Sequence, residues 1–477
     1  MMYSRLACRL FLMLCIIIAF ILLVPDGLRE DEAPSGFMAG TCVDCNIILV
    51  SVDTLRADGL GAYGNARQVS PNIDRMASGG VLYQRAYSPS SMTAPSHMSF
   101  MTGLYPSEHG VCNLERREVW CRHELEDTVV TLADVLRQEG YRTVAFTGGG
   151  NVDGRMGFDR GFDSYTHYDF ADPVINQVLG AEGEVDFRDV VGNLSGGKFF
   201  LFLHTYKTHD PYFPGEETRS SVCGGYDRTV IDSWSRLMGE KTISRLMDEN
   251  PDFSFANGSH IIRKAVFKSN LSEYDVGYLR CLYDAEIREM DEKLGLILDS
   301  LEDAGLEGKT LIIVTSDHGE EFREHGGLLH HQLYNEIIHV PLIVKNPGLT
   351  GGANVPGYFS VVSLPASILD AVGVDVPAQF RDTGGEPVIS EEYAFRRRAI
   401  IYGGYKLMAY PDERMLFSME SDYREQRDMI SEDAGTAGRL ESIMNDILPE
   451  YAGEVAGGGE KLGEGKKREL RHLGYVD

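Results

Sequence analysis

Positive charge is what this sequence has least of. Across 477 residues, 45 Lys and Arg stand against 72 Asp and Glu, a formal net charge of −27. That balance excludes nucleic acid as a partner, because a phosphate backbone needs a basic face. It also repels a small anionic substrate, so a site for one must be locally positive, most simply through a metal ion. Disorder is excluded on other grounds: 43% hydrophobic and 25% charged residues are ordinary globular values.

Long apolar runs are scarce as well. Leu10 to Val24 forms an unbroken run of 15 residues, preceded by Arg5 and Arg9 and closed by Pro25. It falls short of the roughly 20 residues that span a bilayer comfortably, and no small-x-small cleavage site follows it. Residues 1–25 therefore read as a signal anchor or signal peptide and 26–45 as a linker. The remainder is expected outside the cytoplasm, held at the membrane by the N-terminal segment, or secreted or periplasmic if the leader is cleaved. Cysteine is sparse, eight in all with Cys8 and Cys15 in the leader. The remaining six, an even number, read as disulfides in an exported chain, and Cys112–Cys121 closes the easiest short loop. Cys42-x-x-Cys45 has the outline of a zinc or redox motif, but no second Cys/His pair at zinc spacing completes it. No internal repeat is present.

What the chain does have is a series of buried strands alternating with helices. Ile47 to Val52, Thr143 to Thr147, Phe199 to Leu203, Leu311 to Thr315 and Pro341 to Lys345 are short apolar runs rich in β-branched and aromatic residues. Such runs mark strands buried on both faces. Helices are expected from Pro71, from Thr131 to Glu139, and most clearly where Tyr283, Ile287, Met290, Leu294, Ile297, Leu298 and Leu301 recur at three- and four-residue steps before Gly305. The alternation predicts an α/β fold with a mostly parallel sheet covered by helices on both faces. From about Phe395 the pattern changes. Arg398 to Tyr402, Tyr405 to Tyr410 and Arg414 to Ser418 read as short antiparallel strands backed by a helix near Ala437 to Leu448. The expected division is a body at 46–382 and a small α+β subdomain with tail at 395–477. The segment between Asp210 and Leu271 shows no period and reads as an insertion.

The chemistry gathers at strand ends, where ligands bind in open α/β sheets. Asp53 follows one strand, His204 and His209 follow another, and Asp317-His318 follow a third. Between them in sequence lies Thr93-Ala94-Pro95-Ser96-His97. Pro95 suits the first turn of a helix and Gly103 offers its stop, so Thr93 is expected just ahead of a helix N-terminus, where the dipole favours an anion. A lone Thr-x-Pro is ordinarily a helix cap. Two carboxylates and an imidazole facing that hydroxyl instead outline a metal site with a nucleophile. Asp53, Asp317 and His318, with Thr93 Oγ close by, suit one divalent ion, Ca, Mn or Zn. His209, His331 and His204 are candidates to protonate a leaving oxygen or steady developing charge.

From Asn46 onward these residues resemble the sulfatase family of the alkaline-phosphatase superfamily. Asn46 to Gly64 resembles its opening strand and first metal aspartate. Thr93-Ala94-Pro95-Ser96-His97 with Thr102-Gly103 resembles the signature Cys-x-Pro-Ser-Arg and its trailing Thr-Gly. Thr315-Ser316-Asp317-His318-Gly319-Glu320 resembles the second metal pair, and Tyr405-Lys406-Leu407 with Leu473-Gly474-Tyr475 resembles the C-terminal subdomain. The resemblance implies an alkaline-phosphatase-like mixed sheet and metal-dependent ester hydrolysis.

Three departures bear on the chemistry. In the family a cysteine or serine becomes formylglycine, whereas threonine stands at position 93. His97 replaces the signature arginine, and the family's Lys-x-His element is absent around Gly149 to Val152. Threonine with Asp, Asp and His around one metal resembles the superfamily's phosphodiesterases and exported phosphoglycerol and phosphoethanolamine transferases. The expected function is a hydrolase or transferase acting on sulfate or phosphate esters through Thr93, phosphoester chemistry favoured, with His97, His209 and His331 as further catalytic residues. The substrate is expected to be an anionic ester, of a glycan, a lipid head group or a small molecule. The alternatives are an ordinary sulfuric ester hydrolase, an inactive anion-binding relative, and a two-metal mutase-like enzyme, for which Thr205 stands where a ligand is wanted.

Overall fold

The computed structural model describes residues 40–113, 121–167, 187–210, 212, 214–226, 271–349, 351–381, 385–392 and 396–448. The expected leader, most of the linker, most of the 211–271 insertion and the C-terminal tail lie outside the described residues.

Strands β1 (Asn46–Val52), β2 (Val81–Tyr87), β3 (Arg142–Thr147), β4 (Ser164–His167), β5 (Phe199–Thr205) and β6 (Thr310–Thr315) enter the main sheet. Two further strands, β7 (Glu321–Phe322) and β8 (Leu328–Leu329), make a separate ribbon, and β9 (His339–Val340), β10 (Leu342–Lys345) and β11 (Ala353–Ser360) complete the main sheet. Its order is β11-β2-β10-β6-β1-β5-β3-β4, with β9 paired to β2. The pairs β1/β5, β1/β6, β3/β5, β3/β4 and β2/β11 are parallel; β10 runs antiparallel between β6 and β2. The sheet is mixed and mostly parallel, as the sequence pattern predicts.

Both faces are covered. Helices α1 (Pro71–Gly79), α2 (Thr93–Thr102), α3 (Leu132–Gln138), α4 (Phe187–Leu194), α5 (Glu216–Cys223), α6 (Glu273–Asp303) and α7 (Leu364–Ala371) flank the strands. Strand β1 shows why its run is continuously apolar. Successive side chains point to opposite faces: Ile48, Val50 and Val52 join the core containing α1 and α6, while Ile47 and Leu49 join the core containing α2, α3 and α7. Helix α6 spans 31 residues, ten more to the N-terminal side than its apolar repeat suggests. Ser272 caps it by accepting the Asp275 N–H, while the Asp275 carboxylate accepts the Ser272 N–H.

The small antiparallel sheet has four strands rather than three: β12 (Val388–Glu392), β13 (Arg397–Tyr402), β14 (Tyr405–Ala409) and β15 (Arg414–Ser418), with α8 (Ala434–Ile447) against it. Strand β12 falls between the two sequence-predicted ranges because it ends in Glu391-Glu392. Both are buried, Glu391 pairing with Arg398 and accepting the Ser107 N–H, an arrangement that hydropathy cannot foresee. The six cysteines beyond the leader pair as Cys42–Cys45, Cys112–Cys121 and Cys223–Cys281. The Cys-x-x-Cys motif is therefore a disulfide. Among the described residues no helix is long and apolar enough to cross a membrane.

Candidate active site

Parallel pairing of β5, β1 and β6 delivers three strand ends to one edge. Val52 lies opposite Thr205 and Ser51 opposite Thr315, so Asp53, the segment after Thr205, and Ser316-Asp317-His318 leave the sheet side by side. The turn after β1 is tightly held. Thr54 sits in the left-handed region at φ +58°, where a β-branched residue is rare and strained. Its N–H donates to Asp317 Oδ1 at 3.2 Å and its hydroxyl to the Thr208 carbonyl at 2.7 Å, while the Tyr283 hydroxyl donates to the Thr54 carbonyl at 2.8 Å. Three elements thus fix the one turn that aims Asp53.

Thr93 is the first residue of α2, following Met92 in extended conformation. Gly103 ends that helix at φ +67°, with the Phe380 backbone 2.8 Å from where a Cβ would stand. The Thr93 hydroxyl donates to Asp53 Oδ2 at 3.3 Å. The helix start is tied down on the other side, since Ser96 Oγ donates to the Asp317 carbonyl at 2.7 Å and Ser88 Oγ does likewise. The Ala94 N–H donates to Asn113 Oδ1 at 2.8 Å, so that amide is committed within the protein rather than to an anion.

Asp53, Asp317 and His318 are fully buried, and one ligand atom from each lies within 4.8 Å of the others. His318 Nδ1 lies 3.0 Å from the Gly319 carbonyl, to which it donates. Its Nε2 therefore carries the lone pair, 3.3 Å from Asp317 Oδ2. Asp53 Oδ1, Asp317 Oδ2 and His318 Nε2 all lack a hydrogen-bond partner among the described residues. Buried polar atoms are otherwise nearly always satisfied. Burial, and then the neighbouring Asp317 carboxylate, push the Asp53 carboxyl well above the usual carboxylate range. Two carboxylates facing each other in the dry interior, with a lone pair beside them, have the donor set and the charge for a divalent cation.

The remaining histidines separate by position. His97 lies one turn along α2, fully buried. Its Nδ1 donates to the Thr93 carbonyl at 2.9 Å and its Nε2 accepts from Ser51 Oγ at 2.9 Å. It reaches Thr93 through the backbone rather than through the hydroxyl, an i to i−4 contact that the helix imposes. Burial lowers its pKa. His204 holds Nε2 3.8 Å from Asp53 Oδ2, and its Nδ1 accepts from the Gly148 N–H at 3.3 Å. His209 packs its ring 5.4 Å from the His330 ring, with Nδ1 2.6 Å from the Asp210 carbonyl. His330 stands directly against His318, ring centroids 4.4 Å apart, and its Nδ1 is 3.0 Å from Glu320 Oε1. His331 is exposed; its ring lies 5.6 Å from that of His330, and its carbonyl accepts from Arg397 at 3.0 Å. Of the adjacent pair, the ring beside the candidate ligands belongs to His330. The parity of a short segment after β8 decides that, and a sequence gives no phase for two residues in a loop. Glu320 and His330 were both missed, though Glu320 follows the Asp-His pair by only two residues.

Comparison with known proteins bears on the family and the fold. A family model described as Sulfatase matches residues 45–374. Arylsulfatase K from Mus musculus is 24% identical over 367 residues, covering 70% of this chain and 61% of the relative. Iduronate 2-sulfatase from Homo sapiens is 26% identical over 361 residues, covering 64% and 60%. The match thus spans about three fifths of the length of these relatives. Among solved structures, the phosphonate monoester hydrolase of Agrobacterium radiobacter superposes with a TM-score of 0.61 at 19% identity, covering 84% of this chain and 95% of that one, a likeness of fold.

Proposed function

The chain belongs to the sulfatase family, and from that premise we propose that this ester hydrolase acts through Thr93 on phosphate or phosphonate esters in preference to sulfate esters. The single observation that carries the reading is the Thr93 hydroxyl directed at Asp53 beside three buried polar atoms that lack a hydrogen-bond partner among the described residues. Asp53, Asp317 and His318 would hold one divalent ion, Ca, Mn or Zn. Bound there, the ion supplies Lewis acidity, polarising the ester oxygens and favouring an ionised hydroxyl.

The residues of the chain account for the rest. Thr93 is placed by the helix start and by the ties of Ser88 and Ser96 to Asp317, so its Oγ is held against Asp53 before substrate arrives. His97 acts by fixing the Thr93 backbone from behind. His209 lies on the substrate side, where it contacts the ester oxygens, and His331 belongs to the outer rim. Attack of Thr93 Oγ on phosphorus displaces the leaving oxygen and gives a phosphothreonine, which water or an acceptor alcohol resolves. Attack on sulfur would give a threonine sulfate with no aldehyde hydrate to expel it, which is why phosphoester chemistry is favoured.

The three disulfides fit an exported protein, and residues 1–25 serve as its signal anchor or signal peptide. The body at 46–382 and the subdomain at 395–477 act as one catalytic unit. The relatives named for sulfatase activity favour a second reading, hydrolysis of sulfate esters. A panel of 4-nitrophenyl sulfate, bis(4-nitrophenyl) phosphate and 4-nitrophenyl phenylphosphonate, assayed with each metal, separates the two. The proposal expects the phosphorus esters to turn over faster and Thr93→Ala to lose all three. Faster turnover of the sulfate by the unmodified protein would establish the second reading.

A further inference from the structure

Helix α2 begins without a capping residue of its own. Met92 occupies the N-cap position, and its side chain has no oxygen to offer. A helix start leaves backbone N–H groups in need of acceptors. Here Pro95 has none to satisfy, and the Ser96 N–H reaches the Met92 carbonyl at 3.1 Å. The Ala94 N–H is met from outside the helix, by Asn113 Oδ1 at 2.8 Å, a side chain 19 residues further along the chain. That N–H belongs to the same peptide unit as the Thr93 carbonyl, which accepts from His97 Nδ1 at 2.9 Å. Both polar ends of the one peptide that follows Thr93 are therefore held by side chains, and both side chains are buried. A peptide unit is planar, so holding it at both ends holds ψ at Thr93.

The segment that carries Asn113 is itself anchored. His109 is buried against α2: its Nδ1 accepts the Val111 N–H at 3.0 Å, so Nε2 carries the proton and donates to the Pro95 carbonyl at 3.1 Å, with Ser99 Oγ 3.2 Å away. Burial pushes His109 down to about 3, so this tie stays the same across ordinary working pH. The Arg122 N–H donates to the Gly110 carbonyl at 2.8 Å and the Cys112 N–H to the Arg122 carbonyl at 3.0 Å, and the Cys112–Cys121 disulfide joins the same two stretches. Asn113 follows Cys112 directly and so stands on a fixed support.

We propose that Asn113 is a positioning residue for the nucleophile: together with His97 it clamps the peptide after Thr93 and so aims Thr93 Oγ. The proposal rests on the reading of Thr93 as nucleophile. Asn113 acts through the backbone, at Ala94, and not through contact with the reacting atoms. Threonine is β-branched, and the rotamer it adopts follows its backbone torsions. The hydroxyl reaches Asp53 Oδ2 at 3.3 Å, a long contact that does not hold the rotamer by itself. Without Oδ1 the Ala94 N–H would be buried with its acceptor gone, and the first turn would shift to find another. A capping side chain at position 92 would serve the helix as well. A cap carried by a separate, disulfide-closed stretch instead fixes where the helix starts relative to its surroundings, which is what a nucleophile needs.

The test separates kcat from KM on the full chain, using whichever ester and metal of the panel above turn over fastest, with every variant assayed well below its own melting temperature. Asn113→Ala should lower kcat by roughly 10–10²-fold, the scale on which a misplaced reacting group is felt, and leave KM within about twofold. Asn113→Asp keeps an acceptor oxygen of the same reach and should recover kcat to within about threefold of the wild type, since the two residues cap helices equally well. Where Asn113→Ala does not fold, Asn113→Ser, whose hydroxyl falls short of Ala94, is read in its place with the same expected loss. A cap that serves stability alone would lower the melting temperature and leave the kcat of the folded protein untouched. That result, a rise in KM at constant kcat, or an Asn113→Asp no better than Asn113→Ala would overturn the proposal while leaving the nucleophile in place. Turnover retained by Thr93→Ala would overturn the nucleophile and, with it, the basis of this inference.

Discussion

Two groups of fully buried charges occur in this chain, and they are treated in opposite ways. Beneath the small sheet, the Lys406 ammonium on β14 pairs with Glu425 Oε1 at 2.5 Å and donates to Asn335 Oδ1 at 3.0 Å, while Glu425 Oε2 accepts the Asn335 N–H at 2.7 Å. The charges there sum to zero within the protein. At the ends of β1 and β6, Asp53 and Asp317 face each other, and an atom of each lacks a hydrogen-bond partner among the described residues. Both arrangements take charges out of water, which costs several kcal/mol per ion. One is closed by its own side chains and serves the fold. The other sets two carboxylates against each other, and we propose that a divalent cation completes it.

The largest expected effect is on function alone. Thr93→Ala should reduce ester turnover by roughly 10⁴–10⁶-fold, the scale on which loss of a nucleophile is felt, without shifting the denaturant midpoint. A shift in midpoint comparable to a core mutation would mean that Thr93 belongs to the fold-building set. Next in size is the opposite case. Lys406→Met leaves Glu425 buried without its cation and should destabilise by about 3–5 kcal/mol in chemical unfolding. The double change Lys406→Met, Glu425→Leu should recover much of that loss, and no recovery would show that the lysine acts through packing alone.

A smaller effect is expected where the small sheet meets the loop after β6. His325 Nδ1 is 2.6 Å from Glu336 Oε1, its Nε2 is 3.1 and 3.2 Å from the carbonyls of Arg424 and Glu425, and its ring stacks on Tyr334. Glu321 accepts its backbone N–H, and Lys406 lies beneath through Glu425. Partial burial alone would lower its pKa, but the hydrogen bond to Glu336, with the charges of Glu336 and Glu425, outweighs that and holds it above the ordinary value. A raised folded-state pKa gives stability that is complete below the unfolded value of about 6.5 and fades as pH rises through the folded value. The melting temperature of the wild type should therefore fall on going from pH 6.5 to 8, by the equivalent of under about 1 kcal/mol. His325→Gln should flatten that slope, and an unchanged slope would remove His325 as its source.

The same contrast explains what could be read in advance. The strands of the main sheet declared themselves because burial on both faces leaves a continuous apolar run, as in Ile47 to Val52. Strand β2, with its exposed Gln84 and half-buried Arg85, and β11, with its exposed Pro356, carry no such run and were not foreseen. Asp53 and Asp317-His318 stood out because a polar residue directly after a buried strand has nowhere to go but the carboxyl edge. Glu320 and His330 did not, because they meet across a loop whose path depends on Arg56 and Ile337. Whether His330 or His331 turns inward is likewise a matter of loop phase. The left-handed turn at Thr54 left no signal, since threonine is among the residues least expected there.

The account turns on the claim that the Asp53–Asp317 pair is completed by a divalent cation. Thermal unfolding of the full chain and of Asp317→Asn, each first with a chelator and then with added Ca, Mn or Zn, tests it most directly. Without metal, Asp317→Asn should melt above the wild type, because it removes one of two opposed buried carboxylates. With metal, the wild type should rise, by an amount equivalent to about 2.7 kcal/mol at a hundredfold excess over the dissociation constant, while the variant should not respond. If the variant instead melted below the chelated wild type and no ion moved either, the two carboxylates would be satisfied within the protein, and the distinction between the two buried groups would fail.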